Sequence, residues 1–253
     1  MKTIVYKAAG GNPTAIVIGD NISQDRYPEI SCQIQSKKPE IEQVGFFETV
    51  HSGVPKLQMA GGEFCGNASR SFACLLWQQN PKNSEFDFYV SGFNGVVRAS
   101  VKKKRENLFF CEARFPNLKS SVDVKSLDGA IVKIVNLGGI THIVVSEDDF
   151  PFSDSDYEKD MKRIRDRLKV DNDAIGVIWT REESKQIYIR PVVWVKDVDS
   201  YYYETSCGSG SIAIGLIKKK SVDVVQPSGD TISVELSNGN MTLSSEMEKI
   251  MEF

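Results

Sequence analysis

Two stretches decide the reading of this chain, Glu63-Phe-Cys-Gly-Asn-Ala-Ser69 and Glu204-Thr-Ser-Cys-Gly-Ser-Gly-Ser211. Each sets a cysteine, Cys65 or Cys207, ahead of a glycine and a small polar residue. Each then enters an apolar run that reads as a helix, Phe72-Ala-Cys-Leu-Leu-Trp77 after the first and Ile212-Ala-Ile-Gly-Leu-Ile217 after the second. A cysteine at a helix mouth lies in the field of backbone N–H groups without intrahelical partners, and that field favours a thiolate. It equally favours a bound carboxylate. One such turn suits a redox or nucleophilic cysteine. Two of matching design point to a pair of bases facing one bound anion.

The surroundings of the two turns also match. Ahead of the first, Ile4-Val-Tyr6 and Ala15-Ile-Val-Ile18 read as strands about a Gly10-Gly-Asn-Pro13 turn. Residues 25–37 read as a short helix, and Gln43-Val-Gly-Phe-Phe47 and Leu57-Gln-Met59 as strands. After it come a strand at Phe86–Val90, a hairpin signal at Asn94-Gly95, and strands at 96–101 and 108–114. The run Lys102-Lys-Lys-Lys-Arg105 reads as a solvated hairpin tip. Residues 116–126 read as a crossing, after which the plan repeats. Ala130–Leu137 and His142–Ser146 are strands about Gly138-Gly139, Tyr157–Leu168 is a helix, and 174–179 and 185–195 are paired strands. The second cysteine turn and its helix follow, then a Gln226-Pro-Ser-Gly229 turn and a closing hairpin over 231–236 and 241–244. The expectation is two related α/β lobes, residues 1–117 and 118–246, closing around a ligand at their junction.

Composition narrows the class. The chain has 253 residues, 41% hydrophobic and 26% charged, with a net charge of −3. That supports a folded core and gives no electrostatic case for nucleic acid or an anionic membrane. Met1–Lys7 does not read as a signal peptide and no apolar run reaches membrane-spanning length, so the expected compartment is the cytoplasm. The five cysteines, Cys32, Cys65, Cys74, Cys111 and Cys207, are odd in number and irregular in spacing, which argues against a disulfide framework. There is no CxxC, and the histidines, His51 and His142, are far from any cysteine in sequence, so no metal site is expected. Cys32, Cys74 and Cys111 read as packing.

The Glu-Phe-Cys65-Gly-Asn-Ala, Glu-Thr-Ser-Cys207-Gly-Ser-Gly and Gln-Pro-Ser-Gly229 motifs, in this order and at this separation, resemble the cofactor-independent diaminopimelate epimerase-like superfamily, which includes proline racemase. The resemblance implies two pseudo-symmetric lobes, each a β-barrel-like sheet around a helix, with residues 247–253 returning to the first lobe. It also implies two cysteines acting as acid and base, no cofactor, no metal, and a homodimer. The Asn and Arg groups with which diaminopimelate epimerases grip the far end of their substrate have no counterparts here. Gln58-Met-Ala-Gly-Gly-Glu-Phe64 and Asp199-Ser-Tyr-Tyr-Tyr-Glu-Thr205 stand in their place. The pattern Glu42-Gln-Val-Gly-Phe46 with Gly62–Ala68 resembles instead the histidine racemase branch, and that likeness makes Glu42 the candidate for gripping an imidazole. Otherwise Glu40 and Glu42 form a solvated acidic loop.

The expected substrate is a free amino acid, histidine favoured, and the expected reaction is proton exchange at its α-carbon. The N–H groups of Gly66, Asn67, Gly208 and Ser209 would hold the carboxylate, where negative charge develops. One cysteine removes the proton as thiolate, and the other returns a proton to the opposite face. Asn12 either serves its turn or points its amide into the cleft, where it and Gln43 are candidate ligands. His142 either tunes a thiol or fills its turn, and Asp199 or Glu204 holds the ammonium. The rival readings are a diaminopimelate or lanthionine epimerase with a remodelled distal pocket, and a non-catalytic amino-acid-binding protein.

Overall fold

A computed structural model describes residues 2–19, 22–50, 53–237 and 239–253. His51 lies outside them. β1 (Lys2–Ala8) turns through Ala9 and Gly10, at φ 46° and 68°, into antiparallel β2 (Gly11–Ile18). A 3-10 turn, Gln24–Arg26, and α1 (Tyr27–Lys37) cross to β3 (Gln43–Thr49), parallel to β2. β4 (Pro55–Met59) runs back along β3. α2 (Gly66–Gln79) crosses to β5 (Glu85–Val90), parallel to β4, and β6 (Val97–Arg105) and β7 (Leu108–Pro116) complete a meander.

One added strand, β8 (Ser121–Leu127), separates this unit from its repeat. β9 (Ala130–Asn136) and β10 (Thr141–Ser146) form a hairpin. α3 (Tyr157–Leu168) crosses to β11 (Ala174–Glu183), parallel to β10. β12 (Gln186–Val195) runs back along β11, and a 3-10 turn, Lys196–Val198, leads to β13 (Ser200–Tyr203), which folds onto β12. α4 (Gly208–Lys218) crosses to β14 (Val222–Val225), parallel to β12. β15 (Thr231–Ser237) and β16 (Asn240–Glu252) close the meander. Hairpin, helix, hairpin, helix, meander therefore occurs twice, with a cysteine turn at the second helix each time. The expected α/β class and internal repeat are present, with the two helices read in each half.

β16 joins the halves. It pairs with β15 and with β7 along Asn240–Glu248, and its far end, Met247–Glu252, pairs with β1. β1 to β7 and β16 thus close into a ring of eight strands. α2 fills this ring, and every residue from Gly66 to Leu76 is buried. The ring buries α2 on all sides, its polar residues Asn67, Ser69, Arg70 and Ser71 included. Phe72 meets Phe88 edge-on at 5.2 Å, and Phe64 meets Phe115 in the same way at 5.1 Å. α3 instead covers one face of its sheet, burying Met161, Ile164 and Leu168 beneath a charged outer surface.

Several local expectations are corrected. The first turn falls at Ala9-Gly10, not Gly10–Pro13, because Gly11 already pairs with Ala8 and β2 begins there. The crossing expected over 116–126 contains β8, an edge strand whose residues are exposed up to Leu127 and which pairs only with β9 among the described residues. Asn94-Gly95 does mark a hairpin, since β5 pairs antiparallel with β6, but one with a connection longer than two residues. It lies in loop 91–96, drawn inward by Phe93 packing against Phe64 and Phe115. The basic run is the exposed end of β6, and the tip is Glu106-Asn107, with Asn107 at φ 59°. Residues 241–244 and the returning end of the chain lie on one continuous β16, Asn240–Glu252.

Candidate active site

The cysteine turns are built alike. Cys65 precedes α2 in extended backbone (φ −131°, ψ 111°), and its sulfur accepts the Ala68 N–H at 3.3 Å. Cys207 precedes α4 at φ −138°, ψ 106°, and its sulfur accepts the Gly210 N–H at 3.3 Å. Ser69 and Ser211 each donate a hydroxyl back to the cysteine carbonyl, at 2.7 and 2.8 Å. Both thiols therefore cap their helices, and the first N–H groups of each helix are left without intrahelical partners. The turns also abut. A Cβ on Gly208 would stand 2.9 Å from Asn67 Oδ1 and 3.1 Å from Gly66 backbone, so glycine is needed for the approach.

Both sulfurs line one narrow cleft. Glu42, Gln43, Glu63 and Glu204 share its wall, and among the described residues no Lys, Arg or His does. Gln43 spans the cleft. Its Oε1 accepts from Cys65 Sγ at 2.7 Å and its Nε2 donates to Glu204 Oε1 at 2.5 Å. Glu204, 3% exposed, also faces the Cys207 thiol.

Burial without a cation dominates the electrostatics. It pushes Glu42 up to about 7, against hydrogen bonds from Thr205 and Asn12. It raises Glu63 to about 7, and raises Glu204 to about 8 with help from the charge of Glu42. Both thiols are pushed well up, first by burial and next by the charge of Glu204. Burial thus shifts all of these groups toward their protonated forms.

The expected site residues divide into those at the wall and those behind it. Glu42, Gln43, Asn67, Glu204, Gly208 and Ser209 are at the wall with the two cysteines. Asn12 is behind: fully buried at φ 47°, it donates through Nδ2 to Glu42 Oε2 at 3.2 Å. Gly66 contributes the first position of α2, pressed against Gly208. His142, read as tuning a thiol or filling its turn, is not at the wall. It belongs to β10, not to a turn, is fully buried, and meets the Ser209 hydroxyl at 2.9 Å. Burial holds it down at about 3, so it is neutral. Asp199 is corrected as well. It follows the 3-10 turn, accepts from Trp194 Nε1 at 3.0 Å, and lies outside the cleft. Sequence reasoning gave no role to Glu63, two positions before Cys65 and on the cleft wall, or to Thr205, which donates to Glu42 Oε1 at 2.5 Å.

A family model described as the histidine racemase CntK N-terminal domain matches residues 6–248. A histidine racemase of Fusobacterium nucleatum is 31% identical over 96% of this chain and 92% of its own length. This chain belongs to the histidine racemase family. The histidine racemase of Staphylococcus aureus is more distant, at 22% identity over 88% of this chain and 84% of its own. A hydroxyproline epimerase from Agrobacterium vitis, solved with bound trans-4-hydroxy-L-proline, superposes with a TM-score of 0.70 at 11% identity, covering 100% of this chain and 91% of that one. A phenazine biosynthesis protein of the PhzF family from Bacillus anthracis gives 0.65 at 12%, covering 100% and 98%. These two likenesses show the shared epimerase-type fold. As a member of the histidine racemase family, the chain is an isomerase.

Proposed function

We propose that this isomerase racemises free histidine, with Cys65 and Cys207 as the paired base and acid. The observation that carries the reading is the pair of like-built capping thiols in one cleft walled by three carboxylates. The α-carboxylate sits against the N–H groups of Gly66, Asn67, Gly208 and Ser209, at two helix N-termini. Glu204, beside both thiols, takes the ammonium. Glu42, fixed by Thr205 and Asn12, faces the imidazole. One cysteine, as thiolate, removes the α-proton, and the electron pair left on carbon spreads into the carboxylate. The helix N–H groups stabilise that charge, usually the largest catalytic contribution. The other cysteine, as thiol, delivers its proton to the opposite face, and the two sulfurs have then exchanged states. The reverse reaction swaps their roles. Closure of the lobes expected at 1–117 and 118–246 keeps water from the carbanion.

The cationic ligand readies the thiols. Its ammonium and ring N–H groups favour ionised carboxylates, and it brings the positive charge that a buried thiolate needs. Like charges across a small site allow one thiolate at a time. A diaminopimelate or lanthionine epimerase would have to seat a second carboxylate, and the cleft wall offers that group no basic side chain among the described residues. A cytoplasmic setting accords with five free cysteines. The homodimer belongs to the same reading and is checked by light scattering of the purified protein. The decisive experiment incubates the protein with L-histidine in deuterium oxide and follows optical rotation and α-deuterium together, with diaminopimelate in parallel. Inversion of histidine with deuterium uptake is expected. Tight binding without exchange would leave only an amino-acid-binding protein.

A further inference from the structure

Arg70 is 0% exposed and is among the largest fully buried side chains. It lies on α2, one turn beyond Gly66. Nε donates to the Gly66 carbonyl at 3.3 Å, Nη1 donates to Ser245 Oγ on β16 at 2.9 Å, and Nη2 donates to Asn67 Oδ1. Asn67 in turn donates through Nδ2 to the carbonyl of Ser206 at 2.9 Å, the residue before Cys207. One guanidinium thus grips the Cys65 turn directly and the Cys207 turn through a single amide.

Its partners are all neutral. Among the described residues no carboxylate pairs with it, although leaving a buried charge uncompensated costs several kcal/mol. Burial lowers it to about 10, which still leaves it cationic at neutral pH. Any charge formed on Cys111 of β7, Cys65, Cys74 within α2 or Cys207 would act on the guanidinium. In the reverse direction Arg70 ranks among the main influences only on Cys74, and burial and Glu204 dominate at Cys65 and Cys207. Cys74 and Cys111 are buried off the cleft wall, which leaves Cys65 and Cys207 as the members that could ionise in use. Acting on those two in the opposite sense are Glu204, and for Cys65 also Glu63.

We propose that Arg70 is a positioning residue that serves as the shared counter-charge of the two cysteine turns, docking them together and offsetting whichever thiolate forms. It touches no substrate. Serving both turns from one place, it lowers the cost of either thiolate, as a reaction run in both directions requires. The inference rests on the two-cysteine reading above.

The test uses the full chain with Arg70→Met, Arg70→Gln and Arg70→Lys, each checked for fold by circular dichroism. The first readout is the pH midpoint for iodoacetamide alkylation of Cys65 and Cys207, resolved by mass spectrometry. In the two neutral variants both midpoints should rise by about one pH unit or more. α-Deuterium exchange into histidine should fall about 100-fold in kcat, with a smaller change in KM. Arg70→Lys should keep the midpoints and lose rate, since the charge stays while the planar fork to Asn67 and Ser245 is lost. Unchanged midpoints at both cysteines in a folded neutral variant would overturn the proposal. Should Arg70→Met fail to fold, Arg70→Gln, which can still bond Ser245, decides the same question. Should both fail, midpoints raised in Arg70→Lys overturn it. Alkylation needs no substrate, so a wild-type protein that exchanges no α-proton would refute the racemase reading and leave this comparison intact.

Discussion

Gln43 Nε2 donates to Glu204 Oε1 at 2.5 Å, while the oxygen of the same amide accepts from the Cys65 thiol at 2.7 Å. Strand β3 of the first repeat is thereby tied to the segment that leads into the second cysteine. The amide orients a thiol and a carboxylate together, which neither helix could do alone. Gln43→Ala should lower kcat for histidine about 10- to 100-fold, the worth of a hydrogen bond to a charged group. Stopped-exchange measurements of α-deuterium would show it, and an unchanged kcat would remove Gln43 from the site.

Cys65→Ser and Cys207→Ser should each reduce inversion by about a thousandfold or more, since a hydroxyl is a far weaker acid than a thiol and either face then lacks its proton carrier. Chiral chromatography of the product measures the loss. Full activity in either variant would end the two-base account.

Glu42→Gln leaves an amide oxygen for Thr205 and removes the charge. For histidine, kcat/KM should fall about tenfold or more, while alanine, which has no ring to hold, should change far less. Equal losses for both substrates would show that Glu42 serves the cleft as a whole and does not read the side chain.

Glu63 predicts a pH effect on stability. Its folded-state value is raised to about 7 from an ordinary 4.5. Between those values the native protein binds more protons than the unfolded chain, so this residue's contribution is fully present below pH 4.5 and is lost as pH rises through 7. Glu63→Gln should therefore melt with wild type near pH 4 and several degrees above it at pH 8.5, at about 2–4 °C per kcal/mol in a chain of this size. Thermal denaturation across that range tests it, and a variant less stable at pH 8.5 would contradict the sign.

Much of the architecture is legible from local pattern. Tyr157–Leu168 is bounded as expected because its apolar residues fall on one face. The cysteine turns read well because glycine and small polar residues at a helix mouth admit few structures. β8 escapes because exposed Val122 and Val124 carry no burial signal. In the site, Cys65 and Cys207 are visible from their repeated surroundings, and Gln43 from the motif that holds it. For Asn12 and His142 the sequence leaves two readings open each, since it shows which polar residues are buried more readily than what stands between them and a ligand. Arg70 escapes for another reason. An arginine on an apolar helix reads as a surface residue until the closed ring of strands leaves it no way out.

The near-identity of the two capping turns bears on metabolism. Left and right hands of one molecule have equal free energy, so a racemase brings them to parity and no further. A cell that draws one hand from this protein must have a downstream consumer blind to the other, and the yield of that hand is then set by the consumer's appetite and not by anything in this fold.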